Sequence, residues 1–258
     1  MVKTFYSKRN NGPMSGKKDF YSESLTREEI LKDLKIRRKR LGELIGFDGT
    51  KIIVPLQDTK LEKYDNGHYE DITERVSDIL NDNPNYDLWD LDIPCDIMLV
   101  RSSLKGVVLS YPVADCPVVI VSAKDTLGIA HCSVVHIDRE LPILLADAVS
   151  KVSGAKDREL SAYIGPCAGY NYVYETYPTW ATNDDWKHFI EETKEGYRID
   201  LKRAIKSQLM RRRVNGITTS TVADTITDPN FYSNYAYKHG DESKNGRFLT
   251  GAYFEKTR

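Results

Sequence analysis

Two side chains in this sequence have the types and spacing to do chemistry together: Cys116 and His131, each at the end of an apolar run. Cys116 precedes the run 117–121, His131 closes the run 127–130, and the polar segment Ala123-Lys124-Asp125-Thr126 joins them. A hairpin across that turn returns the end of the second strand to the start of the first, so thiol and imidazole become neighbours. A thiolate beside an imidazole is a nucleophile with its base, or half of a metal site. The plain alternative is a small core hydrophobe, the usual role of a cysteine in an apolar strand.

The remaining polar candidates are weaker. His136, in Ser133-Val134-Val135-His136, belongs either to a helix start at the same cleft or to the surface. His68, His188 and His239 read as solvated. In a regular strand Asp115 faces away from its neighbour Cys116, unless it hydrogen-bonds backbone around the turn. Arg9, in a Gly/Asn-rich loop, and Arg247, at the mouth of the last strand, are candidate substrate-binding cations or surface ion pairs. Ile164-Gly165-Pro166-Cys167-Ala168-Gly169 is a corner or a pocket wall that needs close backbone approach. The sequence has neither a phosphate-cradling P-loop nor a G-x-G-x-x-G fingerprint.

The elements that must position these residues follow from periodicity. A helix is predicted over 26–45, capped by Thr26 and stopped by Gly46. Strands are predicted at 51–56, 95–100, 106–113, 117–121, 127–130, 161–164, 217–222 and 247–254. Further helices are predicted at 141–152, 183–195 and 198–213. Residues 60–92 are polar and turn-rich, and read as a surface insertion around a helix at 72–80. The order is that of a mixed α/β (α+β) fold, one domain over 1–258 with mixed sheets flanked by helices.

Composition narrows the class. The 258 residues include 37 Lys+Arg and 38 Asp+Glu, so no excess of positive charge points to nucleic acid or an acidic membrane. The run Arg211-Arg212-Arg213 reads as a solvated helix face. There is no apolar signal-peptide core and no run near the ~18 apolar residues of a membrane span. The four cysteines form no C-x-x-C pair and fit free thiols. The expectation is a cytoplasmic protein.

Six segments, in order, resemble those of the laccase-domain (multicopper polyphenol oxidoreductase, or peptidoglycan-editing-factor) family. They are residues 5–15 with Arg9, 95–100, Ala114-Asp115-Cys116-Pro117, Gly128-Ile129-Ala130-His131, Ile164-Gly165-Pro166, and Asp228-Pro229 through Ser233 with Gly246-Arg247. The resemblance implies the family fold and a zinc held by the counterparts of Cys116 and His131 and by a third, earlier histidine. It also implies action on purine nucleosides, by phosphorolysis or deamination. Where the third histidine belongs, this chain has Gln57-Asp58-Thr59, so the family pattern identifies no third ligand; Asp58, Cys132 and His136 are the candidates to supply one, and the pattern places none of them. The family's Trp and Arg after the histidine are replaced by Cys132-Ser133-Val134-Val135, and an Arg pair near the C-terminus by Tyr235-Ala236-Tyr237. The fold resemblance extends to cytotoxic necrotizing factor-type deamidases. These imply a metal-independent alternative with Cys116 as nucleophile, His131 as base and an amide substrate. A catalytically inactive binding protein, with 60–92 as the contact surface for a protein partner, is the third reading.

Overall fold

A computed structural model describes residues 1–55, 69–91, 93 and 95–255. Alternating side chains build it in layers. In β4 (Ile97–Arg101), Met98 and Val100 face one way while Ile97 and Leu99 face the other, and all four are buried. β6 (Val118–Ala123) and β7 (Thr126–His131) repeat the pattern: Val118, Ile120, Leu127 and Ile129 on one face, Val119, Val121 and Ala130 on the other. A period of two with apolar residues on both faces means a sheet covered on both sides.

The central sheet has six strands in the order β12-β8-β6-β7-β4-β3, with β3 at Tyr69–Asp71, β8 at Ser161–Ile164 and β12 at Gly216–Thr219. One face packs against α4 (Leu141–Ser153) and α5 (Leu201–Arg211) through Leu145, Val149, Ile205 and Leu209. The other face meets a four-stranded sheet ordered β1-β13-β5-β2, formed by Val2–Tyr6, Phe248–Phe254, Val108–Val113 and Ile52–Ile53. Leu109, Tyr111, Val113 and Phe248 fill the space between the sheets. α1 (Arg27–Ile45) covers the outer face through Leu41, beside Met14 and Leu249. The result is the expected mixed α/β fold with mixed sheets.

Four differences from the sequence expectation have physical reasons. Residues 69–91 are not a surface appendage. β3 pairs in parallel with β4, and Ile72, Val76 (in α2, Thr73–Asp82) and Leu88 are fully buried. The charged residues around them hid that stripe. Residues 183–195 are not a helix: Asp184–His188 makes a 3-10 turn, and β10 (Ile190–Thr193) and β11 (Gly196–Ile199) form a hairpin that continues to β9 (Val173–Tyr174). Gly196, at φ 129°, makes the turn that a helix would not allow. α5 starts later than expected, because Asp200 caps it by accepting from the Arg203 N–H at 2.9 Å. The segment 234–238, between the strands predicted at 217–222 and 247–254, forms α6 (Asn234–Lys238), capped by Ser233.

Candidate functional site

The chain passes from the four-stranded sheet to the six-stranded sheet at residues 114–117, between the ends of β5 and β6. Cys116 sits in that passage. The antiparallel register places Val118 opposite His131, and the Cys132 N–H donates to the Pro117 carbonyl at 2.9 Å. The hairpin therefore brings Cys116 and His131 to the same end of the sheet, and both line one pocket of about 270 Å³.

Asp115 holds the passage in place. Its side chain is buried, with Oδ1 accepting from the Thr225 hydroxyl at 2.9 Å and Oδ2 from the Tyr235 N–H at 2.8 Å. Its carbonyl accepts from the Ala168 N–H at 2.8 Å. One residue thus ties the Cys116 turn to the corner after β8 and to the C-terminal loop. Burial raises the Asp115 carboxyl above the usual range, against the lowering effect of these donors.

The pocket has two characters. Tyr172 and Tyr174, with ring centroids 4.9 Å apart, form an aromatic wall, backed by Tyr235 at 4.5 Å from Tyr172. Lys17 and Arg247 supply cationic groups, and the Arg247 guanidinium lies 4.7 Å from the Phe20 ring centroid. Val113, Val134, Ile199 and Leu201 add apolar surface, and Ser133 and Asn234 add polar groups. Sequence reasoning missed the tyrosines; the alternation Tyr170-Asn171-Tyr172-Val173-Tyr174 was their available signal.

Arg9 does not line this pocket. Its Nη1 donates to the carbonyl and hydroxyl of Ser243, both at 3.1 Å, and so staples the N-terminal loop to the C-terminal one. Arg247, just before β13, does line it.

Both central groups are held neutral. Cys116 and His131 are half-buried where they line the pocket. Burial, then the charge of Asp115, pushes the Cys116 thiol up to about 12. Burial, then His136, takes His131 down to about 3. A thiolate–imidazolium pair requires the opposite shifts.

The fit to a zinc ion is incomplete. A catalytic zinc takes three protein ligands, and among the described residues no group of three His, Cys, Asp or Glu is placed to hold a metal. Cys132 is fully buried in the core on the helix side of the central sheet, away from the pocket lining. His136 lies 5.8 Å from His131 between ring centroids, but its Nδ1 is bonded by Ser133. Asp58 and Thr59 lie outside the described residues. The residues in place do not complete the zinc site that the resemblance implied.

The family model for multi-copper polyphenol oxidoreductase laccase matches residues 68–255. No curated protein matches the chain by sequence. Among solved structures, the hypothetical protein YfiH of Bacillus licheniformis superposes with a TM-score of 0.71 at 17% identity, over 98% of this chain and 93% of that one. YlmD from Geobacillus stearothermophilus gives 0.68 at 20% identity, over 87% and 81%. Neisseria meningitidis protein NMB0706 gives 0.65 at 15%, over 98% and 94%. At these identities the structures are alike in fold. No helix among the described residues is long and apolar enough to cross a membrane.

Proposed function

We propose, from the premise that this chain belongs to the multi-copper polyphenol oxidoreductase laccase family, that its pocket takes a purine nucleoside with phosphate as second substrate. The observation that carries this reading is that an aromatic wall, Tyr172 and Tyr174, and two cations, Lys17 and Arg247, line one pocket. Flat heterocycles stack on tyrosine faces, and fixed cations suit a phosphate oxyanion. The volume, about 270 Å³, is at the small end of ligand pockets and suits one small molecule with its co-substrate at the mouth.

In this reading the base stacks on Tyr172 and Tyr174. The neutral thiol of Cys116 and neutral imidazole of His131 hydrogen-bond its polar edge. Arg247 orients phosphate toward the sugar carbon. The glycosidic C–N bond breaks, a C–O bond to phosphate forms, and the base leaves with the bonding electron pair. Chemistry of this kind needs charge stabilisation and orientation, which the cations and the Asp115-tied turn supply. The amide-hydrolase alternative has weaker support, because both groups of the Cys116–His131 pair are held in their uncharged forms.

The test incubates the purified protein with adenosine or inosine, with and without phosphate, and follows free base by chromatography. Phosphate-dependent release of base is expected, with a loss of roughly 10²-fold in kcat/KM for Arg247→Gln, the scale of a removed charge-stabilising donor. Nucleoside binding by calorimetry without turnover would make this a binding protein. Neither binding nor turnover overturns the reading.

A further inference from the structure

The wall of the same pocket carries a second arrangement that the nucleoside reading does not use. Ser133 lines the pocket, and its Oγ lies 2.7 Å from His136 Nδ1. The Ser133 backbone N–H also donates to Nδ1, at 3.3 Å. Nδ1 therefore carries the lone pair, and the ring proton sits on Nε2. Nε2 is buried, without a hydrogen-bond partner among the described residues, and faces Asp96 Oδ1 at 3.6 Å. With this tautomer the serine hydroxyl donates to a base whose far side faces a carboxylate.

From this geometry we infer that Ser133, His136 and Asp96 form a serine hydrolase relay acting on small carboxylic esters. Three separate placements support it. Ser133 lines the cavity directly after β7 as the N-cap residue of α3 (Val134–Asp138), and the same contacts with His136 close a capping box there. The base is set one helical turn on, at i+3, and the carboxylate comes from the residue before β4, two strands' ends meeting because β4 pairs with β7. The Asp96 backbone is held in turn, since its carbonyl accepts from the buried Tyr111 hydroxyl at 3.0 Å. The nucleophile–base contact is within hydrogen-bond reach, and the longer base–orienter distance is of the kind that tightens when substrate binds. Val113, Val134 and Ala168, which line the same cavity as Ser133, make it suitable for a short uncharged acyl group.

The chemistry balances without a cofactor. The Ser133 Oγ–carbon bond forms as its proton passes to His136 Nδ1. The carbonyl π pair moves to oxygen and returns as the ester C–O bond breaks. The leaving alkoxide takes the proton from Nδ1. Water then attacks the acyl carbon, gives its proton to Nδ1, and the serine recovers it as the acid departs. Asp96 stabilises the imidazolium in both halves.

The experiment treats the full chain with a fluorophosphonate probe, locates the adduct by peptide mass spectrometry, and measures 4-nitrophenyl acetate hydrolysis. The expected result is an adduct on Ser133 and turnover that falls roughly 10²-fold or more in Ser133→Ala and in His136→Gln, the usual worth of a positioned base. His136→Gln keeps the serine, so loss of labelling there reports activation rather than mere presence of the hydroxyl. Thermal unfolding of each variant identifies loss through misfolding, and adduct mapping on the unmodified chain needs no variant. No adduct, an adduct elsewhere, or hydrolysis unchanged in folded Ser133→Ala overturns the proposal. None of these outcomes bears on nucleoside binding, so the two readings fail separately.

Discussion

A half-buried imidazole is a record of its surroundings. His131 is shifted from 6.5 to about 3, chiefly by burial. As pH falls, the unfolded chain takes up the proton first, so the folded state loses stability between 6.5 and 3 and keeps it in full above 6.5. Urea midpoints measured at pH 7 and pH 5 should therefore fall more for the native chain than for His131→Asn; equal falls would mean the ring is solvated. Asp115 makes a different demand. Its carboxylate is the acceptor for the Thr225 hydroxyl and the Tyr235 N–H, and a donor left unpaired in the interior costs about 1–3 kcal/mol. Asp115→Ala should lose about that much in a denaturant titration. It should also weaken ligand binding, because it frees the turn that carries Cys116.

Elements succeed or fail by their neighbours. α1 was legible because its cap and stop are local: Thr26 accepts from the Glu29 N–H and Gly46 ends the helix at φ 77°. The β10–β11 hairpin was not, because Glu191, Glu192, Lys194 and Glu195 are good helix formers and only pairing with β9 decides for strand. The corner after β8 depends on a close approach that the sequence shows only as a glycine. A Cβ at Gly169 would lie 2.6 Å from the Ala223 carbonyl oxygen and 3.0 Å from Asp224 Cβ. Backbone cannot give way there as a side chain does. Gly169→Ala should destabilise the protein by about 1–3 kcal/mol, the usual cost of overpacking, and shift the pocket wall at Ala168. Unchanged melting would show the corner to be slack.

At the scale of the whole molecule, the outer helix is held by charge as well as by apolar contact. The Arg38 guanidinium donates to both oxygens of Asp87, at 2.9 and 3.0 Å, and lies 4.5 Å from the Trp89 ring centroid. This ties α1 to the segment that leads into β4. Arg38 is 4% exposed at its side chain and Asp87 18%. Removing the carboxylate leaves a buried cation, at a cost of about 3 kcal/mol, the lower end for a broken buried pair. Asp87→Ala measured by urea unfolding checks this, and a change under about 0.5 kcal/mol, the surface-site range, would mean that water replaces the carboxylate.

The sequence by itself determined the class of fold, the strand pair that joins Cys116 to His131, and the family. Each is written in local pattern: apolar alternation, a short polar turn, motifs in order. The zinc expected from the family did not carry over to a complete ligand set among the described residues, since two donors were legible as motifs and the third position had changed to Thr59. Tertiary structure alone decided that Arg247 reaches the pocket while Arg9 is held by Ser243, that Tyr172 and Tyr174 form a wall, and that Ser133, His136 and Asp96 meet. Those residues come from separate strands and loops, and no spacing along a chain encodes which loops share the end of a sheet. Register and layer packing settle that, because a one-residue slip in pairing would turn each side chain to the opposite face.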